Sequence, residues 1–272
     1  MIYFIGAGPG DKELITVKGM KLLSAADCII YAGSLINPEL LEYAKSGCKL
    51  YDSAKMTLEE VMEIMLKNEK RDMVTVRLHS GDPSLYGAVK EQIDILAENG
   101  IAYKIIPGVS SFAGAAAVLG AEYTLPGVSQ TLILTRMEGR TPVPERERIT
   151  ELAKIQASMA IFLSSGMLPE ISAKLIEGGY PSNTPAAIVY KATWPDEKII
   201  RTTVERLPEA GDKNNISKTA IILVGNFLSG EYDAELQSNV GKSAINATRY
   251  ERSFLYNTEF THEYRTGKTD NE

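Results

Sequence analysis

The segment Arg77-Leu78-His79-Ser80-Gly81-Asp82-Pro83-Ser84-Leu85-Tyr86-Gly87 holds the residue types best suited to a polar ligand site. It follows a strand-like run, Met73 to Leu78, and precedes a helix-like run, Val89 to Glu98. A strand that ends in His, Ser, Gly, Asp and Pro exchanges apolar packing for small and polar groups at its C-terminal end. In open α/β sheets that edge is where ligands sit. Gly81 and Gly87 permit close backbone approach, Pro83 stiffens the turn, and Asp82 can hold a donor-rich ligand. The plainer alternative is a tight strand–helix turn in which Asp82 only caps.

Two further turns have the same position relative to a strand. Gly6-Ala7-Gly8-Pro9-Gly10-Asp11 opens directly off the first strand and could present backbone N–H groups to an anion. It is a poor dinucleotide fingerprint, because Pro9 removes an N–H and no acidic ribose ligand follows the second strand. A role toward another ligand, or a structural turn, remains for it. Pro107-Gly108-Val109-Ser110-Ser111 leads into a small-residue helix, Phe112–Leu119, whose free N–H groups could be capped by serine or hold a carboxylate or hydroxyl. Cationic groups follow strand ends at Tyr51-Asp52-Ser53-Ala54-Lys55, at Thr135-Arg136 and at Arg140. They would suit a polycarboxylate, although each could equally be a solvated surface charge. His79 reads as a structural hydrogen-bonding group, and His262 lies in a polar tail. Two distant histidines make no metal site, and no Ser-His-Asp, Cys-His or paired-carboxylate spacing stands out.

These turns need elements to position them. The expected strands are Ile2–Ile5, Asp27–Tyr31, Lys49–Asp52, Met73–Leu78 and Ala102–Ile106, alternating with helical patterns at Ile15–Ala25, Pro38–Ser46, Thr57–Lys67 and Ala88–Glu98. Thr57 and Glu60 form a capping box. Such alternation predicts a mostly parallel sheet covered on both faces. A second start follows Gly108–Gly120, with strands at Thr131–Thr135, Met159–Ser164, Ala186–Tyr190, Ile199–Val204 and Thr219–Val224 and helices at Pro144–Gln156 and Leu168–Glu177. The turn at Thr193–Glu197 suggests a hairpin, hence a mixed second sheet. The expected division is 1–115, 116–230 and a polar extension over 231–272 that caps a partner subunit or is disordered.

The 272 residues carry a formal charge of −6, with 44% hydrophobic and 24% charged residues. This is the balance of a soluble globular protein, and it argues against a general nucleic-acid binder. The longest apolar runs are strand-length, so no membrane span is expected. Met1 leads straight into a strand, which predicts no targeting leader. Cys28 and Cys48 are isolated and suit a reducing compartment, with the cytoplasm expected.

Together the quoted motifs resemble those of the tetrapyrrole methylase family over roughly residues 1–230. The glycine motif Gly6–Asp11 and the Gly81-Asp82-Pro83 turn mark the superfamily. The match continues through Asp52–Glu60, Pro107–Phe112, Gln130–Arg136 and Gly139–Pro142, and the segments Tyr31–Leu35, Asp52–Lys55 and Thr135–Pro142 point to the members that methylate precorrin-4, with or without cobalt, at C-11 in cobalamin biosynthesis. The resemblance implies an α/β two-domain tetrapyrrole methylase fold, with a mostly parallel N-terminal sheet, a mixed C-terminal sheet and an interdomain cleft. It also implies S-adenosylmethionine as cofactor, a tetrapyrrole substrate, no nucleic-acid or membrane partner, and a homodimer. Carried over by motif, cofactor contacts fall on His79, Gly81, Asp82, Leu85, Tyr86, Ser110, Ser111, Leu163, Tyr190, Lys191 and Ala220. Substrate contacts fall on Gly8, Pro9, Gly10, Asp11, Tyr31, Ser34, Asp52, Lys55, Arg136 and Arg140. No metal is expected to reside in the protein. Asp11 and Tyr31 are candidates to assist proton loss, without a single catalytic residue being singled out. Two alternatives stand beside this reading: methylation at another corrinoid carbon, and a non-catalytic module that binds the cofactor or a corrinoid.

Overall fold

The computed structural model describes residues 1–229, 250–251 and 253–267. Its first sheet comprises β1 (Ile2–Gly6), β2 (Cys28–Tyr31), β3 (Lys49–Asp52), β4 (Thr75–His79) and β5 (Tyr103–Ile106) in the order β3-β2-β4-β1-β5. Every neighbouring pair is parallel. Strands β1 and β2 are apolar almost without interruption because both faces are covered, whereas β4 alternates Val76 and Leu78 with buried Thr75, Arg77 and His79. Alternate residues divide between two cores. Ile5, Ile29, Val76 and Leu78 pack with Leu23 of α1 (Val17–Ala25). Ile2, Phe4, Cys28 and Ile30 pack with Val61, Met62 and Met65 of α2 (Leu58–Glu69) and Leu96 of α3 (Lys90–Glu98).

The handedness of crossovers explains this split. The chain steps one way across the sheet from β1 to β2 and the other way from β3 to β4 and β5, so right-handed connections place α1 on one face and α2 and α3 on the opposite one. The Thr57–Glu60 capping box is present: Thr57 N–H donates to Glu60 Oε2 at 2.8 Å and Glu60 N–H to Thr57 Oγ1 at 3.3 Å. Helix α4 (Ser111–Leu119) follows β5.

The second sheet comprises β6 (Leu132–Arg136), β7 (Ser158–Phe162), β8 (Pro185–Tyr190), β9 (Lys198–Thr203) and β10 (Ala220–Val224), ordered β6-β7-β10-β8-β9. It is mixed, with β6 parallel and β10 antiparallel to β7. Two helical expectations need correction, and one helix was not expected. Pro38–Ser46 is a 3₁₀ helix, Pro38–Tyr43. Pro144–Gln156 is not continuous, because Arg148 is extended (ψ 147°) between a 3₁₀ turn, Glu145–Glu147, and the short α5 (Ile149–Ala153). After α6 (Leu168–Glu177) comes α7 (Leu207–Lys213), whose Pro208 and Gly211 hide its helical pattern in the sequence. Pro208 sits in the first turn, where a missing N–H costs nothing, and Gly211 leaves room for Leu168.

The chain forms two compact units: Met1–Leu119 with Tyr190–Lys198, and Gly120–Val189 with Ile199–Glu272. The linear division at 115/116 puts Tyr190–Lys198 in the second domain. In the structure the β8–β9 connection clusters with the first unit, where Trp194 and Thr193 bond to Pro9 and Asp11. Of the extension expected over 231–272, residues 231–249, 252 and 268–272 lie outside the described residues. In its described part Arg265 donates to the carbonyls of Leu255 (2.8 Å) and Asn257 (2.7 Å) around a 3₁₀ turn, Phe254–Tyr256. Among the described residues, no helix is long and apolar enough to cross a membrane.

Candidate ligand site at the glycine-rich strand ends

All five strands of the first sheet run the same way, so the turns after β1, β2, β3, β4 and β5 gather at one edge. The chain's direction across the sheet reverses between β1 and β4, and the turns leaving those two strands diverge to opposite faces. This is the topological switch point where α/β sheets open a ligand crevice. Here Gly8 and Gly81 form an isolated antiparallel bridge, with Gly81 N–H to Gly8 O at 2.9 Å and Gly8 N–H to Gly81 O at 3.2 Å.

Gly6 and Gly108 make this approach sterically possible, while Gly81 supplies a positive φ of 62°. A Cβ on Gly6 would lie 2.5 Å from Gly108 Cα and 2.6 Å from Gly81 O, and a Cβ on Gly108 would lie 2.7 Å from Gly6 Cα. Contacts that short are excluded between real atoms, so only glycine permits the three turns to meet. Asp82 ties the same turns together. Its Oδ1 accepts from Ser84 N–H at 2.8 Å and from the Ser84 hydroxyl, and its Oδ2 accepts from Gly108 N–H at 2.8 Å. Burial raises the carboxyl pKa, but the Ser84 and Gly108 hydrogen bonds outweigh it and hold the group below the usual carboxylate range. Of the two roles open to Asp82 in the sequence, organising the turn is visible in the geometry.

His79 ends β4 at 4% exposure, 6.0 Å from the Phe4 ring, and its Nε2 is buried without a hydrogen-bond partner. Burial first, and then the neighbouring Arg77 charge, push its pKa down to about 3, so the ring is neutral near pH 7. Arg77 is 8% exposed and donates to Ile30 O at 3.2 Å, while its Nε is unpartnered. Sequence reasoning gave Arg77 no role; a lone arginine inside a strand run was the available signal. Ser110 is buried, and its Cα lies 3.5 Å from where a Gly81 Cβ would be. Leu85 N–H donates to Asp82 O at 3.2 Å. Tyr86 has a positive φ of 54° and is 44% exposed. A non-glycine residue in that conformation is strained, and such strain concentrates where function fixes the backbone.

The expected substrate contacts of this unit line the same edge. Asp52 caps the turn through Ala54 N–H at 2.9 Å, and the Ser53 hydroxyl donates to Tyr31 O at 2.9 Å. Ser34 and Lys55 are exposed, Tyr31 is half-buried, and Asp11 Oδ1 accepts from Glu13 N–H at 2.9 Å. Gly10 O accepts from Asn37 Nδ2 at 2.9 Å; Asn37 is 6% exposed and was missed because its signal was that of a helix cap. Tyr190 and Lys191 also belong to this unit, and Lys191 has φ 47° and an ion pair to Asp196 at 2.6 Å.

The remaining candidates lie in the second unit. Arg136 ends β6 opposite Phe162 of β7, and continuing the β7–β10 register sets Ala220 opposite Leu163. These three therefore share one edge of the mixed sheet. Leu163 is 67% exposed with φ 52°, and Thr219, before Ala220, has φ 56°. Arg136 donates to the carbonyls of Met137 (3.3 Å), Thr141 (3.2 Å) and Pro142 (2.8 Å), so its guanidinium organises its own loop. Arg140, in that loop, is exposed.

The sequence profile of the tetrapyrrole (corrin/porphyrin) methylases matches residues 1–208. The cobalt-precorrin-4 C(11)-methyltransferase of Methanocaldococcus jannaschii is 51% identical over 264 residues, covering 97% of this chain and 95% of that protein. The precorrin-4 C(11)-methyltransferase of Pseudomonas aeruginosa is 43% identical over 268 residues, covering 98% and 99%. An X-ray structure of a cobalt-precorrin-4 methyltransferase superposes with a TM-score of 0.83 at 48% identity, covering 84% of this chain and 96% of that one. The chain belongs to the tetrapyrrole methylase family.

Proposed function

We propose that this protein transfers the methyl group of S-adenosylmethionine to C-11 of (cobalt-)precorrin-4, giving (cobalt-)precorrin-5 and S-adenosylhomocysteine. The observation that carries the reading is likeness at 51% and 43% identity, over nearly the whole chain, to proteins named for that reaction. The residues present suit the cofactor: a neutral, buried His79 with an unpartnered Nε2 stands beside Gly81, where no side chain blocks approach, and buried Ser110. We assign cofactor contacts to these residues and to Asp82, Leu85, Tyr86, Ser111, Tyr190 and Lys191, with Leu163 and Ala220 from the second unit.

When bound, S-adenosylmethionine supplies a methyl group already activated on a sulfonium, so no side chain has to serve as covalent nucleophile. The protein's work is alignment, bringing a ring carbon to roughly 3–3.5 Å from the methyl along the line of the breaking bond. The knot of Gly6, Gly81 and Gly108, pinned by Asp82, fixes the turns that set this alignment. Lys55 and Arg140, both exposed, attract the carboxylates of the ring, while Asp11 or Tyr31 assists loss of its proton. We further propose a homodimer in the cytosol. Incubation with methyl-labelled S-adenosylmethionine and a panel of precorrins under anaerobic conditions, with the label located by NMR, tests the activity. Label at C-11 is expected; transfer to C-17, or to no tetrapyrrole, overturns it.

A further inference from the structure

Trp194 is the sole tryptophan of the chain, and nothing in the reading above gives it a task. It sits at the tip of the β8–β9 connection, the stretch that leaves the second sheet and joins the first unit. Its indole N–H donates to Pro9 O at 3.0 Å. A Cβ on Gly10 would lie 2.5 Å from the indole nitrogen and 2.8 Å from Ala192 O, so the ring occupies the space glycine leaves free. Next to it, Thr193 Oγ1 accepts the N–H of Asp11 at 2.9 Å. The connection thus holds consecutive residues of the Gly8–Asp11 turn by two directed hydrogen bonds and one steric fit, while Asn37 holds Gly10 O.

The grip is itself braced. Thr193 is β-branched yet has φ 70°, and Lys191 has φ 47°, which are costly conformations for such residues. Glu197 Oε2 accepts Thr193 N–H at 2.5 Å. Lys191 Nζ lies 5.0 Å from the Trp194 ring centroid and pairs with Asp196. A turn needed only to join two strands has no use for this strain.

We propose that Trp194 is a positioning residue for tetrapyrrole binding, fixing Pro9 and Gly10 through its indole N–H with Thr193 fixing Asp11. The proposal rests on the assignment of Gly8–Asp11 to the substrate. A sole tryptophan permits a single-atom test. Growth of a tryptophan auxotroph on 3-benzothienylalanine replaces the N–H of residue 194 by sulfur and changes no other position. Thr193→Val, which keeps the branched shape and removes the acceptor, tests the second bond.

With cobalt-precorrin-4 as substrate, each change should raise its KM about tenfold, the scale of one hydrogen bond lost with its partner left dry. The Kd of S-adenosylhomocysteine, by calorimetry, should stay within about twofold of wild type, and the melting temperature should change little; a general structural role would move all three. A tetrapyrrole KM within about twofold of wild type in both proteins overturns the proposal, as does an equal loss of S-adenosylhomocysteine affinity. If one protein fails to fold, the other decides. Absence of methyl transfer by the wild-type protein would instead remove the underlying reading, and that result is separate because it needs no variant.

Discussion

At the residue scale, Asp82 shows how one side chain can tie two turns together. Both carboxylate oxygens accept protein hydrogen bonds, one of them from Gly108 N–H. Asp82→Asn keeps the shape, but an amide nitrogen at the Oδ2 position cannot accept from Gly108. That N–H then loses its partner, and stability measured by urea should fall by about 1–3 kcal/mol. Affinity for S-adenosylhomocysteine should fall with it, because the turn that carries Gly81 loosens. Unchanged stability with lost affinity would show a direct ligand contact in place of the turn role. Lys55 behaves differently. It is exposed at the end of a 3₁₀ turn, so Lys55→Ala should cost about 1 kcal/mol in tetrapyrrole binding or less, diminishing as salt is added, with cofactor affinity unchanged. Salt titration of the tetrapyrrole KM checks this.

At the element scale, the turns of the first unit depend on glycine for two separable reasons. Gly108 is required for space, because a Cβ there would lie 2.7 Å from Gly6 Cα. Gly100 has φ +67° with nothing within 4 Å of where its Cβ would be, so it is required only for backbone conformation. Gly108→Ala should cost about 1–3 kcal/mol through overpacking and should also lower S-adenosylhomocysteine affinity. Gly100→Ala should cost about 1 kcal/mol and leave that affinity alone. Urea unfolding paired with calorimetry separates them; equal ligand binding by both variants would detach the glycine knot from the site.

At the scale of the whole molecule, His79 makes stability depend on pH. Its folded pKa of about 3 lies below the ordinary value of 6.5, so the unfolded chain binds a proton that the folded one refuses. Stability therefore rises with pH between those two values, is fully present above 6.5, and is lost as pH falls toward about 3. From pH 7 to pH 5 the wild type should lose about 2 kcal/mol more than His79→Asn, which cannot charge. Urea midpoints at the two pH values measure the difference. Assembly is a separate question at this scale. The proposed homodimer should sediment at twice the 29.7 kDa chain mass, and a species at that mass itself would oppose it.

The sequence by itself determined the elements and the edge. Every strand it predicted forms, within a few residues, because β-branched runs bounded by Gly, Pro and Asp are local signals. The Thr57–Glu60 box was legible for the same reason, as all its atoms belong to one turn. Helix α7 and the break at Arg148 were not legible, since Pro208, Gly211 and Arg148 are tolerated by tertiary surroundings that no local pattern records. The turns that could meet a ligand were readable from their residue types. What Asp82 does with its two oxygens was not. Nor was the descent of Trp194 onto Pro9, 185 positions away in the chain. Only the fold brings such residues together, because hydrogen bonds and steric fit act through space and carry no mark of sequence separation.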